Sequence, residues 1–295
     1  SSKSSHQSSS QSSSQSSSSS NSSTSSIVLN TLDSSGLEGL ECQLAAGISN
    51  YLNPSLDSWI REEAWMNFTQ ALHLQYPKNL DIAALYAIAS LGTAANAPNY
   101  ISLTKANEIT IKTRVMLESV VELSGGASHP GILHSLTHAY DSMDPGVASR
   151  GIIYGEQLAY RFNYSAHAVH MVSHLYLATS QWSKVKEINE KAYLASTLFC
   201  TEKGGSSTDI LKCDMDDKYH AFEWTHYALL QQEPCQLELK ESWGKVEEME
   251  RIWKQEQNNV DYENWMFRMY ARQTFKDLEC VNQSHGNLSC FKGIF

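Results

Sequence analysis

The stretch Ala166-His167-Ala168-Val169-His170-Met171-Val172-Ser173-His174-Leu175-Tyr176, continued through Val185 and Ala192 to Thr197, decides how the chain is read. Its apolar and small residues recur at three- and four-residue spacing with no strand-like alternation, which is a helical pattern. The same periodicity runs from about Leu37 onward. Breakers at Asn53-Pro54, Tyr76-Pro77, Ala97-Pro98, Gly125-Gly126, Asp144-Pro145-Gly146, Gly204-Gly205 and Glu233-Pro234 cut it into helices of ordinary length joined mostly by short loops. The expected fold class is all-α.

The helices also carry a repeat signal. A tetratricopeptide unit has a small and an aromatic position in its first helix and an A-x3-F-x2-A pattern in its second. Within Ala166–Thr197, Ser173 takes the small position, Tyr176 the aromatic one, and Val185 and Ala192 the paired second-helix positions. Ala64, Phe68 and Ala71 match the second-helix pattern upstream, with Pro77 near a unit end. A next unit from Leu80 puts its small residue at Ala87, and Trp224, Tyr227 and Ala228 fit the first-helix pattern again. The loop between Cys200 and Asp217 is an insertion that breaks strict register. These features predict a tetratricopeptide-like helical-repeat solenoid with irregular units, its repeat-like core at about 59–232 inside a single domain of 27–295. C-terminal helices at 236–280 and a Cys-closed tail complete the expected organisation.

Three phrases resemble a family of tetratricopeptide-type proteins widespread in bacteria. They are Pro77…Asp81-Ile82-Ala83-Ala84-Leu85-Tyr86-Ala87, His129-Pro130-Gly131…His134…His138-Ala139, and His167…His170-Met171…Ser173-His174. A segment Tyr219-His220…Glu223-Trp224…Tyr227-Ala228 is similar to some members as well. The likeness spans Ala64–Gln232, with Ile88 standing where many members have an acid. It implies the repeat fold and carries no activity across. It also implies that His167, His170 and His174, at the second, fifth and ninth positions of their unit, line a concave groove.

The histidines point to chemistry independently of that likeness. Six of the eleven lie between His129 and His174. His134 and His138, and likewise His170 and His174, are four residues apart on one helical face, the spacing at which two imidazoles can address one metal ion. These four are the expected metal ligands, gathered in one cavity; the alternative is a hydrogen-bonded polar core. Further ligands or supporting partners are expected among Asp81, His167, His129, Asp141, His220 and Glu223. For His129 and Asp81, helix-start roles compete with ligation. Imidazole suits zinc, copper or iron and does not suit calcium or magnesium. The H-E-x-x-H, Gly-rich phosphate-loop, G-x-S-x-G and C-x-x-C motifs are absent from the sequence, so no nucleotide cofactor or conventional peptidase helix is indicated.

Composition narrows the setting. The 295 residues carry a net charge of −10, which disfavours nucleic-acid binding, and no apolar run is long enough to span a bilayer. Residues 1–26 are nearly all serine without one apolar side chain, the composition of a disordered tail open to O-glycosylation, with a plain serine linker the alternative. Six cysteines favour short-loop pairs Cys200–Cys213 and Cys280–Cys290, leaving Cys42–Cys235, among fifteen possible pairings. Sequons occur at Asn21, Asn67, Asn163, Asn282 and Asn287. The chain begins without Met, as a processed secreted chain would. Together these features predict a secreted glycoprotein that binds a transition metal, a small ligand or both in a histidine-lined groove, with metal-dependent catalysis an open extension. A metal-free peptide-binding scaffold or an extracellular structural protein is the alternative. A reduced cytosolic protein with idle thiols is the competing setting.

Overall fold

Helix starts follow local chemistry. The computed structural model describes residues 36–97, 103–204, 213–232, 237–253 and 269, and every regular element among them is helical. Helix α1 spans Gly36–Tyr51 and α2 Ser58–Gln75, the latter capped by Asp57, whose carboxylate accepts from the Trp59 N–H at 2.9 Å. Asn79 caps α3 (Leu80–Ala95) by accepting from the Ile82 N–H at 3.1 Å; α4 is Leu103–Val121. A 3-10 turn, Gly126–Ser128, follows Gly125, whose φ of +87° favours glycine. Pro130 and Pro145 occupy the first turns of α5 (Pro130–Tyr140) and α6 (Pro145–Arg161), where a missing N–H costs nothing. Then come α7 (Ala166–His170), α8 (Val172–Ala178), α9 (Trp182–Glu202), α10 (Met215–Gln231) and α11 (Leu237–Trp253).

Among the described residues, the expected breaks at Asn53-Pro54 and Tyr76-Pro77 fall between helices, Gly125-Gly126 leads into the 3-10 turn before α5, and Asp144-Pro145 starts α6. One break was not legible: the helical stretch that begins at Ala166 is divided at Met171 into α7 and α8, although Met171 itself keeps helical angles.

Packing is local in topology. Successive helices pair, and α3 also meets α5, α6 meets α8, α7 meets α9, and α10 meets α7. Small residues allow the close approaches: Ala83 and Ala87 of α3 face Leu117 of α4 and Ile132 and Leu136 of α5 in one cluster. Val169 of α7, Ala192 of α9 and Ala221 of α10 form another. Leu133, Leu158, Ala168 and Met171 tie α5 and α6 to the α7–α8 junction. Gly155 of α6 lies against Val172, and a Cβ there would stand 2.8 Å from its Cγ2, so this crossing admits no side chain without movement.

Cys200, at the C-terminal end of α9, is bonded to Cys213, two residues ahead of α10. Lys218 of α10 is buried at 1% exposure and its ammonium donates to the Cys213 carbonyl at 2.8 Å. The disulfide and this hydrogen bond tie the start of α10 to α9. Cys42 is a free, exposed thiol, in contrast to its expected bridge to Cys235. Cys235, Cys280, Cys290, Asn21, Asn282, Asn287 and the serine tail lie outside the described residues, as does most of 236–280 beyond α11. Asn67 and Asn163 are both exposed. Asn67 sits within α2, where the Thr69 hydroxyl of its sequon donates to the Trp65 and Met66 carbonyls. Asn163 stands in the turn before α7, the more accessible setting for a modifying enzyme. No helix among the described residues is long and apolar enough to cross a membrane.

Candidate metal centre

Helix α5 has two working faces. Ile132, Leu136 and Ala139 enter the core with α3 and α4, while His134 and His138, one turn apart, point away from that cluster. Helix α7, anchored by Ala168 and Val169, presents His167 and His170. His174 follows on α8, and α10 supplies His220.

These six histidines form two groups rather than the single cluster read from the sequence. His134, His138 and His167 make one, His170, His174 and His220 the other, and within each the ring nitrogens lie within 4.8 Å of one another. In the first, His134 Nε2 is 3.1 Å from both His138 Nε2 and His167 Nε2. In the second, His170 Nε2 is 3.1 Å from His174 Nε2. A tetrahedral metal with bonds of 2.0–2.1 Å separates its ligand nitrogens by about 3.3 Å. The observed spacings are close to that edge length. Each triad could hold a metal ion and leave a coordination position open.

The partners of the opposite ring nitrogens define which atoms are free. His170 Nδ1 is 2.6 Å from the Asn189 side-chain oxygen, which has no hydrogen, so the ring donates. The amide orientation is set in turn because Asn189 Nδ2 donates to the Val185 carbonyl at 2.8 Å. His174 Nδ1 is 2.9 Å from Asp141 Oδ2, again an acceptor. With both Nδ1 atoms donating, neutral His170 and His174 turn two Nε2 lone pairs toward each other with no hydrogen between them. Such an arrangement calls for a cation or a proton in the gap. His167 Nδ1 likewise faces Asp217 Oδ1 at 3.4 Å, and His220 Nδ1 lies 3.8 Å from Glu223 Oε2.

Trp224 of α10 walls the second triad, with its ring centroid 4.4 Å from His174, 5.1 Å from His170 and 5.7 Å from His220. His170 is buried at 3% exposure, whereas the side chains of His167 and His220 are 48% and 45% exposed. The cluster thus has a buried floor and an open side. A cavity of about 340 Å³, lined by Gly131, Leu158, Phe162, Tyr164 and Ala168, adjoins His134.

Burial pushes His170 down to about 3 and His134 down to about 4, with neighbouring imidazoles adding to each shift, and His138 moves the same way. His167 moves up because it hydrogen-bonds Asp217, whose own carboxyl is held down by that contact. At neutral pH the buried rings are uncharged, which leaves their lone pairs for a metal. In the unfolded chain each would titrate near ~6.5. Below that pH the unfolded state binds more protons than the folded one, so the metal-free protein is expected to lose stability from about pH 6.5 down to about 3–4. Urea midpoints measured at pH 7.5, 6, 5 and 4 check this. A decline confined to the carboxylate range, below about pH 4, would contradict it.

The remaining expected residues have other surroundings. His129 caps α5, its Nδ1 accepting from the Ile132 N–H at 3.3 Å while Nε2 meets Asp81 Oδ1 at 3.0 Å. Neither His129 nor Asp81 belongs to a triad. Asp141 ends α5 and orients His174; Glu223 is buried beside His220. Asn189 went unread, because a lone asparagine inside a helix carries no sequence signal until its neighbour is known.

Comparison of the chain with family models, curated proteins and solved structures gives no match. The functional reading therefore rests on the chemistry of its own residues.

Proposed function

We propose that this chain is a secreted helical-repeat protein of the tetratricopeptide type that binds transition-metal ions, one in each histidine triad. The observation that carries the reading is the pair of opposed Nε2 lone pairs on His170 and His174, each created by an Nδ1–H already given to an oxygen. Asp141 and Asn189 serve as the supporting partners that fix ring tautomer and raise ligand basicity. Secretion and glycosylation are supported by the Cys200–Cys213 disulfide, the serine-rich stretch and the exposed Asn163 sequon.

A second reading, a metal-free binding scaffold, has one observation in its favour. A largely apolar cavity of about 780 Å³ lies between α6 and α9, with Tyr160, Tyr164 and Leu198 exposed along it. Metal analysis separates the readings. Protein purified without an affinity tag, stripped, and then offered zinc, copper and iron separately is expected to retain about two equivalents of at least one of them, given the tight binding of such sites. Retention below ~0.1 equivalent of every metal would overturn the metal reading and leave the scaffold.

A further inference from the structure

The two triads are not independent in the fold. His167 and His170 lie three residues apart on the single turn of α7, one serving each triad, so the two sets are held side by side by one rigid element. The junction is made a second time from α5: His138 belongs to the first triad, while Asp141, three residues on, holds His174 of the second at 2.9 Å. The same two helices, α5 and α7, therefore serve both triads.

The donor set selects among metals. All six candidate ligands are imidazoles, and among the described residues no carboxylate enters either group. Hydrolytic pairs of hard divalent ions call for oxygen ligands, which this set does not offer. Six neutral rings neutralise none of the charge of two divalent ions, which is offset only from behind the rings by Asp141, Asp217 and Glu223, whereas two monovalent copper ions halve it. Imidazole suits copper, and copper stands at the top of the divalent affinity order. The cavity that His134 lines is walled otherwise mostly by apolar and aromatic groups, with Ser165 beside them, and has no lysine or arginine to hold an anionic substrate. A small uncharged ligand fits these surroundings.

We propose that the two triads form one dinuclear copper centre whose ligand is dioxygen, bound between the two ions. This deepens the metal-binding reading above and rests on it. The step balances without a further reagent: each Cu(I) gives one electron, dioxygen accepts two and becomes bound peroxide, and both coppers become Cu(II) with no proton exchanged. The shared bridge couples the two unpaired electrons.

The experiment loads the full, untagged chain with Cu(I) under nitrogen, measures copper per chain, and then admits dioxygen. Two coppers per chain, uptake of one dioxygen per two coppers, and an oxidised product nearly silent in electron paramagnetic resonance are expected. Two coppers that oxidise to two full, magnetically isolated Cu(II) signals would overturn the dinuclear inference while leaving metal binding intact. A single tightly held copper would do the same. No copper retention, together with no zinc or iron retention, would remove the underlying reading itself.

Discussion

Changing His138 and His174 together to alanine is expected to abolish retention of metal at both triads while leaving the helical circular dichroism nearly unchanged. Each substitution leaves two of three imidazoles in its group. Removing a supporting partner alone costs ~10–100-fold in affinity, and removing a ligand should exceed that. The helices should survive because neither side chain belongs to the apolar clusters, which are built from Leu133, Leu136, Val169, Met171 and their neighbours. The single variants are the sharper comparison. His138→Ala should lower retention by about one equivalent and His174→Ala by the other, whereas a single four-histidine site would lose everything with either change. Dialysis against a competing chelator followed by metal analysis reads the result. If the double variant unfolds and its parent never held metal, the cluster is a hydrogen-bonded polar core.

Loss of the Cys200–Cys213 bond, by Cys200→Ser with Cys213→Ser, has the next largest expected effect. A loop of this length contributes about 3 kcal/mol in the chain-entropy account, about 6–12 °C in melting temperature for a domain of this size. The loss should also be uneven. The bond lies at the entry to α10, and α10 carries Asp217, His220 and Trp224. Hydrogen exchange is expected to accelerate in α10 and in the end of α9 while α3, α4 and α5 keep their protection. Retention at the triad containing His220 should weaken more than at the triad built on α5. Uniform acceleration across all helices, or equal weakening at both triads, would show that the disulfide stabilises the chain globally without positioning that side of the site.

Much of the architecture was readable because helices are local objects. Pro130, Pro145, Asn79 and Asp57 act on backbone groups within three residues of themselves, so helix starts appear in the one-dimensional pattern. The i, i+4 histidine pairs were visible for the same reason, since one helical turn brings them together whatever surrounds the helix. The interruption at Met171 escaped because nothing in the side-chain pattern there differs from a continuous helix. The pairing of Cys42 with Cys235 rested on elimination alone, and Cys42 is free.

What the order of residues determined by itself is an all-helical fold class with two short-range imidazole pairs, each set within a turn or two; the Cys200–Cys213 bond was one favoured pairing among fifteen until the structure joined it. Only the tertiary structure decided that His167 joins the α5 pair and His220 the α7–α8 pair. It also decided that Asn189 and Asp141 turn the buried rings so that their Nε2 atoms face one another. Those assignments depend on how closely α7, α9 and α10 approach through Val169, Ala192 and Ala221. The distance between helices is a property of packing, which no periodicity along the chain encodes.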